Sequence, residues 1–261
     1  MHEREAEAHG WSCRYELLDL ELLPGEAAAL PSLIDAAERD GFAGLNITHP
    51  CKVSVLPYLT DLSDDARNVG AVNTIVFSGR GRIGFNTDWW GFRESVARGL
   101  TGAPLARVVQ LGAGGAGAAT AYAALQLGVT RLDIVDAVGG RADVLAKRMN
   151  GFFPGRVFVS ADPATALRNA DGLIHATPTG MSSHRGLPLA ADLIEGRLWV
   201  AEVVYVPIET ELLHVARQRG CRTLDGSGMA VWQAVEAFRL FTGAAADPDR
   251  MRAFFAEAAN A

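Results

Sequence analysis

The sequence predicts an α/β fold of two domains, the second a doubly wound parallel sheet. Three observations carry the prediction. From about residue 106, apolar β-branched runs alternate strictly with Ala-rich helical stretches, the rhythm of parallel strands covered on both faces. A glycine string, LGAGGAGAAT at 111–120, follows the first of those runs and opens a helix. The part before it has its own short strands, helix and hairpin signal, and at 261 residues two modest cores are the commoner arrangement.

In chain order, residues 13–18 (CRYELL) and 44–47 (GLNI) read as short strands on either side of an Ala- and Leu-rich helix around 26–39. Residues 72–76 (VNTIV) and 82–85 (RIGF) flank SGRG, whose turn chemistry makes them a hairpin. Parallel strands are expected at 107–111, 131–135, 156–160, 172–176 and 198–203. After TLDG (223–226), residues 229–242 and 248–259 pattern as amphipathic helices.

Glycine-rich strings arise by chance, but here the context fits on both sides. Gly112, Gly114 and Gly117 stand between a strand and a helix, with Gly115 inside the loop. The first permits a tight turn, the second lets backbone approach a pyrophosphate, and the third lets helix pack on strand. Asp136 ends the next strand, 24 residues after Gly112, close to the ~20 expected of an acid that holds a ribose 2′-hydroxyl. The second domain is therefore expected to be a Rossmann-type dinucleotide-binding domain. Residues 137–140 offer no cation for a 2′-phosphate, and Arg141, the only one nearby, sits where the next helix begins. NAD is expected rather than NADP.

Upstream lie NITHPCK at 46–52, GAVNT at 70–74 and NTDWWGF at 86–92. Oxidising an alcohol with a dinucleotide needs a group that takes the hydroxyl proton. Lys52, after a sharp turn, and Asp88, before a helix, suit a proton-sharing pair; His49 is the rival base. Taken singly, Lys52 reads as a solvated lysine and Asp88 as a helix N-cap.

Composition excludes several classes. With 24 basic and 30 acidic residues the net charge is −6, and no basic stretch suits nucleic acid. No apolar run approaches the ~20 residues that span a bilayer, and the charged first residues are not a secretory leader. Three cysteines without CxxC spacing suggest a reducing, cytoplasmic setting. The six scattered histidines offer no metal site.

Seven ordered strings resemble the shikimate dehydrogenase family over nearly the whole chain. N-(V/I)-T-x-P-x-K matches Asn46 to Lys52, A-V-N-T matches Ala71 to Thr74, and N-T-D-x-x-G-F matches Asn86 to Phe92. G-A-G-G-x-x-x-A matches Gly112 to Ala119, and A-T-P-x-G-M matches Ala176 to Met181. Y-x-P-x-x-T-x-L-L matches Tyr205 to Leu213, and D-G-x-x-M-x-x-x-Q matches Asp225 to Gln233.

The resemblance implies reversible oxidation of the C3 hydroxyl of shikimate, or of a near relative, with Lys52 and Asp88 as catalytic pair. It implies that Asn46, Thr48, Asn73 and Gln233 hold ring hydroxyls, and that Thr177, Val204 and Gly228 join the glycine loop, Asp136 and Arg141 on the cofactor side. Residues 1–102 would then be the substrate-binding and catalytic domain, 103–228 the NAD-binding domain, and 229–261 helices returning to the first. The ligand would be a polyhydroxy cyclohexane or cyclohexene carboxylate, and the assembly a monomer or homodimer.

Within the family, DAVGGR at 136–141 replaces the N-R-T-x-x-R of NADP-using members. VVYVPIETELL and MAVWQAVEAFRLFTG resemble NAD-dependent quinate/shikimate dehydrogenases. An aminoshikimate or aminoquinate dehydrogenase and a non-catalytic NAD-binding homologue stay open. Family members usually begin with a strand and an S-x-S or S-x-T turn for the substrate carboxylate. This sequence begins at Met1-His2-Glu3, so a start further upstream is expected, with that strand outside the sequence given.

Overall fold

A computed structural model of the chain describes residues 1–20 and 26–259. It divides into two compact units, Met1–Thr87 with Gln233–Ala261, and Asp88–Trp232. The last part of the chain thus groups with the first, and the helices Thr87–Gly99 and Ser227–Thr242 each contribute residues to both units.

The first unit contains α1 (His2–Ala8), α2 (Glu26–Arg39), β1 (Gly44–Asn46), α3 (Cys51–Ser54), β2 (Asp61–Leu62), α4 (Asp64–Val69), β3 (Thr74–Ser78) and β4 (Gly81–Phe85). Its sheet runs β1-β3-β4-β2; the first three strands pair antiparallel and β2 lies parallel to β4. The expected hairpin is β3–β4, with Ser78 opposite Gly81. Leu30, Ile34, Ile47, Val55, Val72 and Ile75 form the core. α4 starts at Ser63, whose hydroxyl caps Ala66 N–H, and ends at Gly70 with φ 75°, the left-handed geometry that glycine adopts without a Cβ penalty. The later segment of this unit includes most of α10 (Ser227–Thr242) and α11 (Pro248–Ala259).

One expectation fails. Residues 13–18 are not a strand. A strand needs a ladder, and among the described residues β1 pairs with β3 alone. Tyr15 instead bonds through its amide to Glu3 and through its hydroxyl to Asn46, while Leu17 and Leu18 are exposed.

The second unit opens within α5 (Thr87–Gly99) and continues through β5 (Arg107–Leu111), α6 (Gly115–Gln126), β6 (Arg131–Val135), α7 (Arg141–Phe152), β7 (Val157–Val159) and α8 (Pro163–Leu167). β8 (Gly172–His175), β9 (Trp199–Glu202), α9 (Glu211–Gln218) and β10 (Arg222–Leu224) complete it, before the first turns of α10. All six strands are parallel in the order β10-β9-β8-β5-β6-β7. The chain builds outward from β5 on one side, then crosses back to build β8 to β10 on the other. That reversal places a switch point between β5 and β8, where doubly wound sheets receive ligands at their carboxyl edge. The central strands β5, β6 and β8 are buried on both faces, so Val108, Val109, Leu132, Ile134, Leu173 and Ile174 are all fully buried. β10 escaped the sequence reading because its three residues carry no apolar run.

Candidate active site

The glycine loop occupies the switch point. Gly112 follows β5 with φ 101°, and its N–H donates to Val135 O at 2.8 Å. A Cβ there would stand 2.5 Å from Ala176 O, and one on Gly117 would stand 2.3 Å from Gly112 O. Both glycines are therefore required by close packing. A Cβ on Gly114 would meet nothing within 4 Å. The loop is tight where strand meets helix and open at the helix N-terminus, which is where a pyrophosphate needs room. These residues fit a dinucleotide.

Two braces hold this loop. Gln110, fully buried, donates to the carbonyls of Gly112 and Gly117 at 2.8 Å each and accepts from Thr120 Oγ1 at 2.9 Å. Sequence reasoning missed Gln110, whose only signal was a polar residue inside an apolar strand. Asp136 ends β6, and its carboxylate accepts from Ala113 N–H and from Val138 N–H, each at 2.7 Å. The expected ribose acid thus stands at the loop and also closes a local turn. Arg141 is the exposed first residue of α7, and Gly115 the first of α6.

Other expected cofactor residues also lie in this unit. Thr177 is half-buried after β8; Val204 is 7% exposed and donates its N–H to Glu202. A Cβ on Gly228 would meet Ser95 Oγ at 2.1 Å, so this glycine lets α10 lie close on α5.

In the first unit the string at 70–74 stitches the other two motifs together. Val72 N–H donates to Lys52 O at 2.8 Å, and Ile47 N–H to Asn73 O at 2.7 Å. The Asn73 side chain, 3% exposed, accepts Thr87 N–H at 2.7 Å and donates to Thr87 Oγ1 at 2.9 Å. This anchors the start of α5, one residue before Asp88. Asn86 donates to Ala71 O at 2.9 Å.

Asn46 donates to Thr74 Oγ1 at 3.3 Å and accepts from Tyr15 at 2.9 Å; Thr87 Oγ1 donates to Gln233 Oε1 at 3.4 Å. Three of the four expected substrate groups, Asn46, Asn73 and Gln233, therefore share one hydrogen-bonded network with Thr74, Thr87 and Tyr15. Thr48 is exposed and its hydroxyl turns to the neighbouring His49 O at 3.4 Å. Tyr15 was not anticipated, because a predicted strand hid its contact 31 residues away.

Lys52 is half-buried in the one-turn helix α3 of the first unit, with His49 exposed just before it. Asp88, 5% exposed, is the second residue of α5 and the first of the second unit. A depression of about 480 Å³ between Thr60, Asp61 and Arg80 holds none of the expected residues. Among the described residues no group of three His, Cys, Asp or Glu could hold a metal, and no helix is long and apolar enough to cross a membrane.

A six-stranded parallel sheet with a braced glycine loop at its switch point, and a separate α/β unit carrying a lysine turn and a polyamide network, define a nicotinamide-dependent oxidoreductase. The family model "Shikimate dehydrogenase substrate binding domain" matches residues 1–75, and "Shikimate 5'-dehydrogenase C-terminal domain" matches 226–253. A shikimate dehydrogenase (NADP(+)) of Streptomyces avermitilis is 53% identical, covering 100% of this chain and 90% of its own. A quinate/shikimate dehydrogenase (NAD(+)) of Corynebacterium efficiens is 46% identical over 98% of this chain and 91% of its own. The structure of quinate dehydrogenase from Corynebacterium glutamicum with NAD superposes with a TM-score of 0.91 at 44% identity, over 98% of this chain and 92% of that one. The chain belongs to the shikimate dehydrogenase family.

Proposed function

We propose that the chain reversibly oxidises the C3 hydroxyl of shikimate, quinate or both to the 3-dehydro acid, with NAD as the dinucleotide. The observation that carries this reading is the stitching of the Lys52 turn, the 70–74 string and the start of α5 into one hydrogen-bonded block. Relatives named for shikimate and for quinate supply the substrate class.

The dinucleotide, when bound, takes or gives the hydride. Lys52 takes the hydroxyl proton as hydride leaves and returns it in the reverse direction, with Asp88 as its acidic partner. Asn46, Thr48 and Gln233 hold ring hydroxyls, and Asn73 fixes the residue before Asp88. A polyol site needs several such fixed groups, because each buried polar group left unpaired costs about 1–3 kcal/mol.

The NAD preference rests on Asp136 and on the absence of a cation at 137–140. Overall identity does not carry it, since relatives named for either cofactor match over the same length. Two observations favour NADP as a second reading: the 53% identical relative bears that cofactor in its name, and Arg141 is exposed five residues beyond Asp136. Steady-state assays of both acids with both dinucleotides decide it. A higher kcat/KM with NAD is expected; a higher value with NADP overturns the preference, and no turnover of either acid overturns the substrate reading.

A further inference from the structure

The proposed chemistry uses neither His175 nor Glu202, yet the second unit buries both, at 0% and 1% exposure. His175 ends β8 and Glu202 ends β9, and the parallel register sets them opposite each other. His175 is also in register with Leu111, the last residue before the glycine loop. His175 therefore stands beside the switch point, one strand from the loop, and Glu202 one strand further out.

The hydrogen-bond pattern reaches three segments. His175 Nδ1 lies 2.8 and 3.0 Å from the two Glu202 oxygens. Glu202 Oε1 also accepts the N–H groups of Val203 and Val204 at 2.9 and 3.0 Å, and Oε2 accepts the Thr210 hydroxyl at 3.0 Å. Thr210 in turn caps α9 through Leu213 N–H. Every other partner of Glu202 here is a donor, so the hydrogen shared within the pair belongs to Nδ1. On the far side of the ring Nε2 lies 2.5 Å from Thr177 Oγ1, within hydrogen-bond distance. The same hydroxyl accepts Thr179 N–H at 3.3 Å. The Thr177 methyl lies beside the first loop glycine, 3.0 Å from where a Cβ on Gly112 would be.

One buried carboxylate thus governs both loops that leave the carboxyl edge beside the glycine loop, 176–181 and 203–210. We propose that His175 and Glu202 are a positioning pair for the dinucleotide. Through the Thr177 hydroxyl and the Val203 and Val204 amides they hold both loops in the receiving shape before ligand arrives. This rests on the dinucleotide reading of that edge.

The test is calorimetric Kd for NAD and NADP, with folding checked by circular dichroism, on wild type, His175→Leu, His175→Gln, Thr177→Val and the His175→Leu/Thr177→Val double variant. His175→Leu should weaken the preferred dinucleotide at least tenfold. His175→Gln, whose amide can still bond the Thr177 hydroxyl, should recover much of that loss. The double variant should lose less than the product of the two single losses, since one residue acts through the other. A Kd within twofold of wild type in folded His175→Leu, or fully multiplicative losses, would overturn the proposal. If His175→Leu does not fold, hydrogen exchange of the ligand-free wild type decides. Amides of 179, 203 and 204 should be as protected as those of β8, and rapid exchange there would overturn pre-positioning. Failure of wild type to bind either dinucleotide would instead sink the functional reading on which this rests.

Discussion

The two units hold their polar groups by different means. In the second, Leu111, His175 and Glu202 stand on adjacent strand ends, and the sheet's own ladder sets their spacing. In the first, the network of Tyr15, Asn46, Asn73, Thr74, Thr87 and Gln233 is drawn from five separate segments, and sheet register places only Asn46 against Thr74. A ladder distributes the burden over many backbone bonds. A network of single side-chain bonds concentrates it, so one substitution there should disturb ligand handling more than the fold.

That contrast can be broken. The largest effect is expected from Lys52→Ala, which should lower kcat/KM by about 10²–10⁴ while leaving dinucleotide Kd unchanged. Turnover near the wild-type level in that variant would remove Lys52 from the catalytic pair.

The next concerns stability in the first unit. Burial lowers the His2 pKa to about 4 from its ordinary 6.5, with the ring stacked near Tyr15 and Phe238. Because the folded value is the lower one, protons favour unfolding. The contribution is complete above pH 6.5 and is lost as pH falls towards about 4, a change of about 3 kcal/mol. Urea titrations across that window should show the decline in wild type and a flatter profile in His2→Phe, which keeps the stacking. Parallel profiles would mean that His2 is not the titrating group.

Gln233→Leu should raise the substrate KM by about 5- to 150-fold, equivalent to about 1–3 kcal/mol of one lost buried bond, without altering dinucleotide affinity. Weakened dinucleotide binding instead would show that the two networks are not separable. The smallest effect is expected from Asp136→Asn. Its amide can still accept from one backbone N–H, so stability should fall by about 1 kcal/mol, while the NAD-to-NADP ratio of kcat/KM falls about tenfold. An unchanged ratio would reduce Asp136 to a turn-forming residue.

Much of the second unit was legible in the sequence. Alternation of apolar runs with helices reported a parallel sheet because its strands are buried on both faces, and glycine spacing reported the loop because backbone contacts there exclude a Cβ. The hairpin around SGRG and the helix at 26–39 were equally local signals. Residues 13–18 misled because a short strand-like run forms a strand only if another strand is there to pair with it. Tyr15 and the His175–Glu202 pair were invisible for a related reason: each matters through a partner distant in sequence or on a neighbouring strand, and a single sequence does not state register; Gln110, whose partners lie within ten residues of it, showed only as a polar residue inside an apolar strand.

The sequence by itself determined where the glycine loop lies, which residues carry the lysine turn, and that an acid ends the second parallel strand. Those follow from local backbone sterics and side-chain period, which neighbours in the chain settle among themselves. Only the tertiary structure decided that β8 lies next to β5, that Glu202 faces His175, and that Gln233 reaches Thr87 across 146 residues of chain. Adjacency and register are set by packing of whole layers, and that energy is not written at any one position.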